Sequence, residues 1–306
     1  MSLNNINISV VIPVYNRAST IVACIESVVA QSYPVKEIIV IDDCSTDNTI
    51  EQLEIYKEKL IILKTNTQSG AQVARNIGVK AANSDWIAFL DSDDKWLPDK
   101  LNIQVEELEK HNFDSCTVIH SDCYVLTSEI NDKYVWNLPV INGRDVYSKL
   151  LKHPAPMFQG MLISKISLVK IDYLDEKVVA YQEWDTAIRL AKYCKFVHIQ
   201  KPLFIYYRHS GKTISSSLKN SFNGYMYIIN KHKKDIIKYC GEDIFNKHLI
   251  TNAINTMNAG DFKNGKKVLN KINRFSFKII LLKLCSIFHL KPKYPISIGS
   301  YIKGKI

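Results

Sequence analysis

The sequence predicts an α/β fold, a mostly parallel sheet covered by helices, followed by a basic helical extension. Three observations carry this. Over the first hundred residues, apolar runs of strand length alternate with segments of helical period. Polar clusters follow the apolar runs and do not interrupt them. The charge also changes sign along the chain: residues 1–215 hold 23 Lys+Arg against 26 Asp+Glu, and residues 216–306 hold 17 against 4.

The elements follow in order. "ISVVIPV" (8–14) is a buried strand bounded by Pro13, and "STIVACIESVVAQS" (19–32) is a helix with Ile21, Ile25, Val28 and Val29 on one face. "EIIVID" (37–42) is a second strand. "STDNTIEQLEIYKEKL" (45–60) reads as a capped helix with Ile50, Leu53 and Leu60 on its stripe, and "LIILK" (60–64) as a third strand. "GAQVARNIGVKAA" (70–82) is a helix expected to bury Ala74, Ile77, Gly78 and Ala81, and "WIAFLD" (86–91) is a fourth strand. Two regions are expected, a first domain at 1–215 and a helical basic region at 216–306. From Phe262 onward there are eleven basic residues and no acid.

With 306 residues the chain can hold one large domain plus an appendage, and an apolar fraction of 46% argues against disorder. No secretory leader is expected, and no apolar run reaches the ~20 residues that span a bilayer. Seven cysteines without a CxxC pair read as reduced, cytosolic thiols.

In a parallel sheet, ligands bind beyond the carboxyl ends of the strands. There the sequence places "PVYNR", "DDCSTDNT", "DSDD" and the helix start "SGAQVARNIG". Acid pairs gathered at one edge repel unless a cation sits among them. Carboxylates without Cys or His alongside suit a hard divalent ion, Mn²⁺ or Mg²⁺, shared with substrate phosphates.

The string "ISVVIPVYNR … VIDDCSTDNT … ARNIGVKAA … FLDSDD … QEWDTAIRLA" resembles glycosyltransferase family 2 of the bacterial surface-polysaccharide type, with motifs in family order across about residues 8–210. The resemblance implies a GT-A fold and inverting transfer from a nucleotide-diphosphate sugar, a UDP-sugar in the first instance. The acceptor it implies is a saccharide or a lipid-linked saccharide. It divides the first domain into a nucleotide-sugar part (about 8–110) and an acceptor and base part (about 111–215). It implies that Pro13, Tyr15 and Arg17 line the nucleotide pocket and that Asp42 or Asp43 accepts the imide N–H of a uracil-like base. Gly70 and Arg75 would approach the base and diphosphate. Asp91, with Ser92 beside it, would contact the ribose, and Asp93 the metal, with His209 as a further metal-side residue. Glu183 falls where the family has its general base, but here Gln-Glu replaces Glu-Asp, so Asp185 is the rival.

Plainer readings stand beside these. Ser45 and Asp47 read as turn and cap residues. Asp94 reads as solvated or as a cap, Trp184 as core, and Arg75 has a surface-helix alternative. The basic region reads either as a helical cap or as a membrane-surface attachment with an apolar face bearing Ile279, Leu282 and Phe288. Its location would then be cytoplasmic, peripheral on the inner membrane face. No nucleic-acid module accompanies the charge. A sugar nucleotidyltransferase or an inactive sugar-nucleotide-binding protein are the alternative functions. The G-x-G-x-x-G of a nicotinamide enzyme is absent.

Overall fold

The computed structural model describes residues 6–127, 133–208, 217–272 and 277–292. Two compact units emerge. One comprises residues 1–147, 155–177 and 182–210, the other residues 148–154, 178–181 and 211–306. The second unit thus takes two short segments from inside the first 215 residues, which the sequence did not suggest.

In the first unit, nine strands form one sheet among the described residues. They are β1 (Ile8–Val14), β2 (Glu37–Asp42), β3 (Leu60–Lys64), β4 (Trp86–Phe89), β5 (Lys95–Trp96), β6 (Thr117–Thr127), β7 (Lys133–Trp136), β8 (Leu162–Ser164) and β9 (Lys195–Arg208). Their order is β3-β2-β1-β4-β8-β6-β9-β5, with β7 on β6. The pairs β1–β2, β2–β3, β1–β4 and β6–β9 are parallel, and β8 runs antiparallel between β4 and β6. The central strands β1 and β4 are buried throughout, as expected of a sheet covered on both faces. β3 lies at the edge with Ile61 and Ile62 exposed.

Helices α1 (Ile21–Val29), α2 (Thr49–Leu53), α3 (Ala71–Ala81) and α4 (Lys100–Glu109) connect the strands. The expected helix over 45–60 is only partly α: α2 ends at Leu53 and Glu54–Lys59 continue as a 3₁₀ turn with no buried residue. "EIYKEK" offers no apolar stripe to hold a longer α-helix on the sheet. Helix α3 also differs in detail. Ala74, Gly78 and Val79 are buried, Ile77 is half-buried and Ala81 exposed, while the polar Gln72, Arg75 and Asn76 face inward. Gly78 permits this: a Cβ there would stand 2.5 Å from Val11 Cγ1 and 2.7 Å from Ile41 Cδ1. Close approach of α3 to β1 and β2 carries Arg75 to the carboxyl edge.

Further along lie α5 (Tyr147–Leu150), α6 (Lys165–Lys170) and α7 (Gln182–Leu190), the last of which buries Trp184 completely, as core. The second unit is helical: α8 (Leu218–Lys231), α9 (Lys233–Cys240), α10 (Glu242–Asn258), α11 (Phe262–Leu269) and α12 (Phe277–Ile287). Its core is pinned by His248, which bridges the Tyr225 hydroxyl (2.6 Å) and the Leu151 carbonyl (2.9 Å). Burial lowers the His248 pKa to about 4, so the ring is neutral and can do both. No helix among the described residues is long and apolar enough to cross a membrane. All seven cysteines are free.

Candidate active site

Because β1, β2, β3 and β4 are parallel, Val14, Asp42, Lys64 and Phe89 end on one edge, and the loops that follow are tied together there. Asn16 donates its backbone N–H to Ser45 Oγ (3.0 Å), and Arg17 donates its own to Thr49 Oγ1 (2.7 Å). Thr20 Oγ1 donates to the Ser92 carbonyl (2.9 Å). Asp47 accepts from the Ala18 and Thr49 amides, 3.1 Å each. Ser45 and Asp47 are therefore turn and cap residues, as the plainer reading had them.

The two strand-end aspartates part company. Asp43 is used up internally: Oδ1 accepts from the Ser69 N–H and from Thr65 Oγ1, and Oδ2 from the Gly70 N–H. This bonding sets the start of α3, where Gly70 adopts φ +92°, a conformation that strains any residue with a Cβ. Asp42 Oδ1 accepts from the Ser45 N–H (2.8 Å), but its buried Oδ2 has no hydrogen-bond partner and only Lys64 Nζ at 3.8 Å. Pro13 lies within β1, and Tyr15 follows half-buried.

Arg75 is buried, which removes the surface-helix alternative. Its Nη2 meets Asp91 Oδ1 at 2.5 Å, and its Nη1 donates to Gln182 Oε1 (2.7 Å) and Gln72 Oε1 (3.1 Å). The guanidinium lies over the Phe158 ring at 4.7 Å. Gln182 occupies the position where this chain departs from the family's Glu-Asp pair. As a neutral acceptor, it leaves the Arg75 charge to the carboxylates.

The "DSDD" loop corrects one expectation. Asp94 is neither solvated nor a cap; it is 1% exposed and accepts from the Tyr207 N–H (2.9 Å) and Gln159 Nε2 (2.6 Å). Gln159 also donates to Asp91 Oδ2 (2.7 Å), so one amide bridges two carboxylates. Burial, then the charges of Asp93 and Asp91, pushes the Asp94 carboxyl well above the usual carboxylate range. The same three acids, after burial itself, raise the Cys24 thiol. The loop thus crowds three carboxylates, two of them paired with Arg17 and Arg75. Ser92 is buried. Asp93 is 20% exposed at its side chain, and Arg17 Nε stands 3.4 Å from its Oδ2.

Glu183 and Asp185 open α7, where acids suit the helix dipole. Asp185 is fully buried and accepts from Arg189 Nε at 2.9 Å, a structural i,i+4 pair. Glu183 is half-buried. Burial pushes its carboxyl up to about 7, with Arg75 opposing and Asp91 adding to the rise. A carboxyl poised near neutrality is suited to taking a proton. His209 lies outside the described residues.

The donor set fits a hard divalent ion in a particular way. The oxygens of Asp91 and Asp94 are engaged by Arg75, Gln159 and Tyr207, and no cluster of three metal-ligating side chains occurs among the described residues. Asp93, whose side chain is 20% exposed beside Arg17, is the loop carboxylate that could face a phosphate-borne cation, and a single carboxylate plus phosphate oxygens is a donor set that Mg²⁺-like ions accept.

A family model described as "Glycosyl transferase family 2" matches residues 9–170. An uncharacterized glycosyltransferase of Rickettsia conorii is 45% identical over 112 residues, 36% of this chain and 18% of its own. The putative colanic acid biosynthesis glycosyl transferase WcaA of Escherichia coli K12 is 26% identical over 75% of this chain and 82% of its own. WfgD of Escherichia coli, named a UDP-Glc:α-D-GlcNAc-diphosphoundecaprenol β-1,3-glucosyltransferase, is 37% identical over 48% of this chain and 55% of its own. This chain therefore spans only part of several relatives. Among solved structures, S. aureus TarS 1–349 in complex with UDP-GlcNAc matches with TM-score 0.65 at 16% identity, over 96% of this chain and 89% of that one. At that identity the likeness is one of fold, and it is the GT-A fold.

Proposed function

Since this chain belongs to glycosyltransferase family 2, we propose that it transfers a sugar, with inversion, from a UDP-sugar to a saccharide or lipid-linked saccharide in surface-polysaccharide synthesis. The observation that carries this reading is the convergence of Asp42, Arg17, Asp91, Asp93 and the raised Glu183 on the carboxyl edge of one parallel sheet. Support for the donor comes from TarS, described in complex with UDP-GlcNAc, and from the UDP-Glc in WfgD's name. Support for inversion comes from the β linkage in that name, because UDP-glucose carries its sugar in the α configuration. The diphosphoundecaprenol acceptor of WfgD and the colanic acid of WcaA support the acceptor class. A lipid-linked acceptor would suit a reaction at an anionic membrane surface.

Each residue then has a task. Asp42 offers its Oδ2, which makes no hydrogen bond among the described residues, to a base imide, with the exposed Lys64 swinging aside. Pro13, Tyr15 and Gly70 line the base and ribose side. Asp91, held from both sides by Arg75 and Gln159, presents a fixed carboxylate to the ribose together with Ser92. Arg75 acts as a positioning residue, since both of its Nη atoms bond within the protein, to Asp91, Gln182 and Gln72. Asp93 would hold Mn²⁺ or Mg²⁺, with His209 as a further candidate ligand; the cation when bound would neutralise charge on the leaving diphosphate. Arg17 would pair with the phosphates. Glu183 removes the acceptor hydroxyl proton as the hydroxyl attacks the anomeric carbon, while Asp185 stays with Arg189.

Thermal-shift titration tests the donor half. UDP should stabilise the protein with Mn²⁺ or Mg²⁺ and much less without, and Asp93→Ala should abolish that difference. Metal-dependent UDP binding that survives Asp93→Ala would remove the metal from Asp93. Pyrophosphate release would favour a nucleotidyltransferase, and binding without turnover an inactive binding protein.

A further inference from the structure

Helix α12 turns an apolar row outward. On its inner side Ile279, Leu282 and Ser286 are at most 5% exposed. This corrects the sequence expectation, because Ile279 and Leu282 belong to the core of their unit and do not share a face with Phe288. On the other side Leu281 (39%), Leu284 (43%), Ile287 (51%) and Phe288 (66%) follow at helical spacing, with Leu290 (58%) beyond. A water-facing helix surface is normally charged, and a helix apolar all round is normally covered.

The surroundings select what covers it. Lys283 lies on the flank of the row and Lys291 just past it. Helix α11 packs beside α12, with Phe262 at its start edge-on to His289 at 5.0 Å, and it adds exposed Lys263, Lys266 and Lys267. No acid occurs from Phe262 onward. An apolar row with Lys283 and Lys291 beside it, in a stretch rich in lysine and without acid, matches an anionic lipid surface, with acyl chains for the leucines and headgroups for the lysines. A second copy of the chain would bring an equally cationic rim to the same place, so like charges oppose self-association. A nucleic acid would use the lysines but gain nothing from the leucines.

We propose that the outer row of α12, Leu281, Leu284, Ile287 and Phe288 with the lysines of α11 and α12, docks the protein onto an anionic membrane surface. It lies in the interface and does not span. The proposal deepens the reading of a membrane-held acceptor and rests on it for its purpose, but not for its test.

The full chain is sedimented with vesicles of phosphatidylglycerol and phosphatidylcholine, and with phosphatidylcholine alone. Binding should be strong to the first, weak to the second, and released in 1 M salt, where the Debye length is about 3 Å. The double variant Leu284→Ser/Phe288→Ser should lose about tenfold or more in vesicle affinity. Its UDP-induced thermal shift should be unchanged. Ile55→Ser, at a still more exposed position on the first unit (77%), should bind vesicles as the parent does. Equal binding to neutral vesicles, none to anionic ones, or an unaffected double variant overturns the proposal. So does a dimer that disappears in the double variant. Vesicle binding without any UDP response would leave the docking standing and defeat the transferase reading instead.

Discussion

At the carboxyl edge of the sheet, charged groups are held by defined partners: Asp43 by the Ser69 and Gly70 amides, Asp91 by Arg75 and Gln159, Asp94 by Tyr207 and Gln159. In the helical unit the lysines of α9 to α11, Lys233, Lys234, Lys238, Lys247, Lys263, Lys266 and Lys267, stand exposed. The first arrangement fixes direction, which is what a displacement at one carbon requires. The second makes a solvent-facing cationic field, with Lys233 and Lys238 over the Phe245 and Tyr239 rings, suited to a diffuse partner such as a headgroup layer. Charge count alone would not separate these regions; burial and bonding do.

The contrast breaks most visibly at Arg75. Arg75→Ala leaves Asp91 and Gln182 facing a hole. The Asp91 side chain is 31% exposed, so water compensates in part, and the expected loss is about 2–3 kcal/mol, below the ~3–5 of a fully buried pair. Urea unfolding checks it, and a loss near zero would mean the edge is not a fixed lattice. The helical unit is probed separately at Gly265, where a side chain would collide with Met257 Cγ. Gly265→Leu should cost about 1–3 kcal/mol, seen in the denaturation midpoint, while UDP binding in the first unit persists. Next comes pH. As the proposed base Glu183 would have to be ionised, and its pKa is raised to about 7. The transfer rate should therefore level off above about pH 7 and fall about tenfold per unit below it. A plateau reaching down to pH 5 would disqualify this carboxyl. The smallest effect belongs to the loop cap: Asp47→Ala removes an acceptor from the Ala18 and Thr49 amides, costing about 1 kcal/mol by thermal melting with little change in turnover.

The first ninety residues were legible because strand and helix periods alternate cleanly and each strand ends in a polar cluster. β6 and β9 were not, since β6 buries His120, Ser121 and Asp122 inside a strand and so lacks an apolar signature. Two of them find partners only by tertiary contact, His120 Nε2 with the Ile141 carbonyl and Asp122 with His198 and the Leu138 amide, while the Ser121 hydroxyl has no hydrogen-bond partner among the described residues. In the candidate site, the charged members Asp91, Asp93, Arg75 and Glu183 could be named from motif order. Gln159 could not. It is a neutral residue in "PAPMFQG", brought to Asp91 across 68 positions, and only the Pro and Gly around it hint at a special backbone. Gln182 was seen only as a departure, and its role as acceptor for Arg75 needed the fold. Asp94 was misread because an acid among acids looks solvated, whereas Gln159 and Tyr207 make its burial tolerable.

The central claim is that Glu183 is the base of a transferase whose donor is bound by other residues. Glu183→Gln keeps the shape and removes the charge, so one preparation can be measured twice, for UDP affinity in Mn²⁺ by calorimetry and for sugar transfer by UDP release. The account predicts unchanged UDP affinity and a transfer rate lowered about 10²-fold or more. Transfer at the parent rate, or a loss explained wholly by weaker UDP binding, would contradict it.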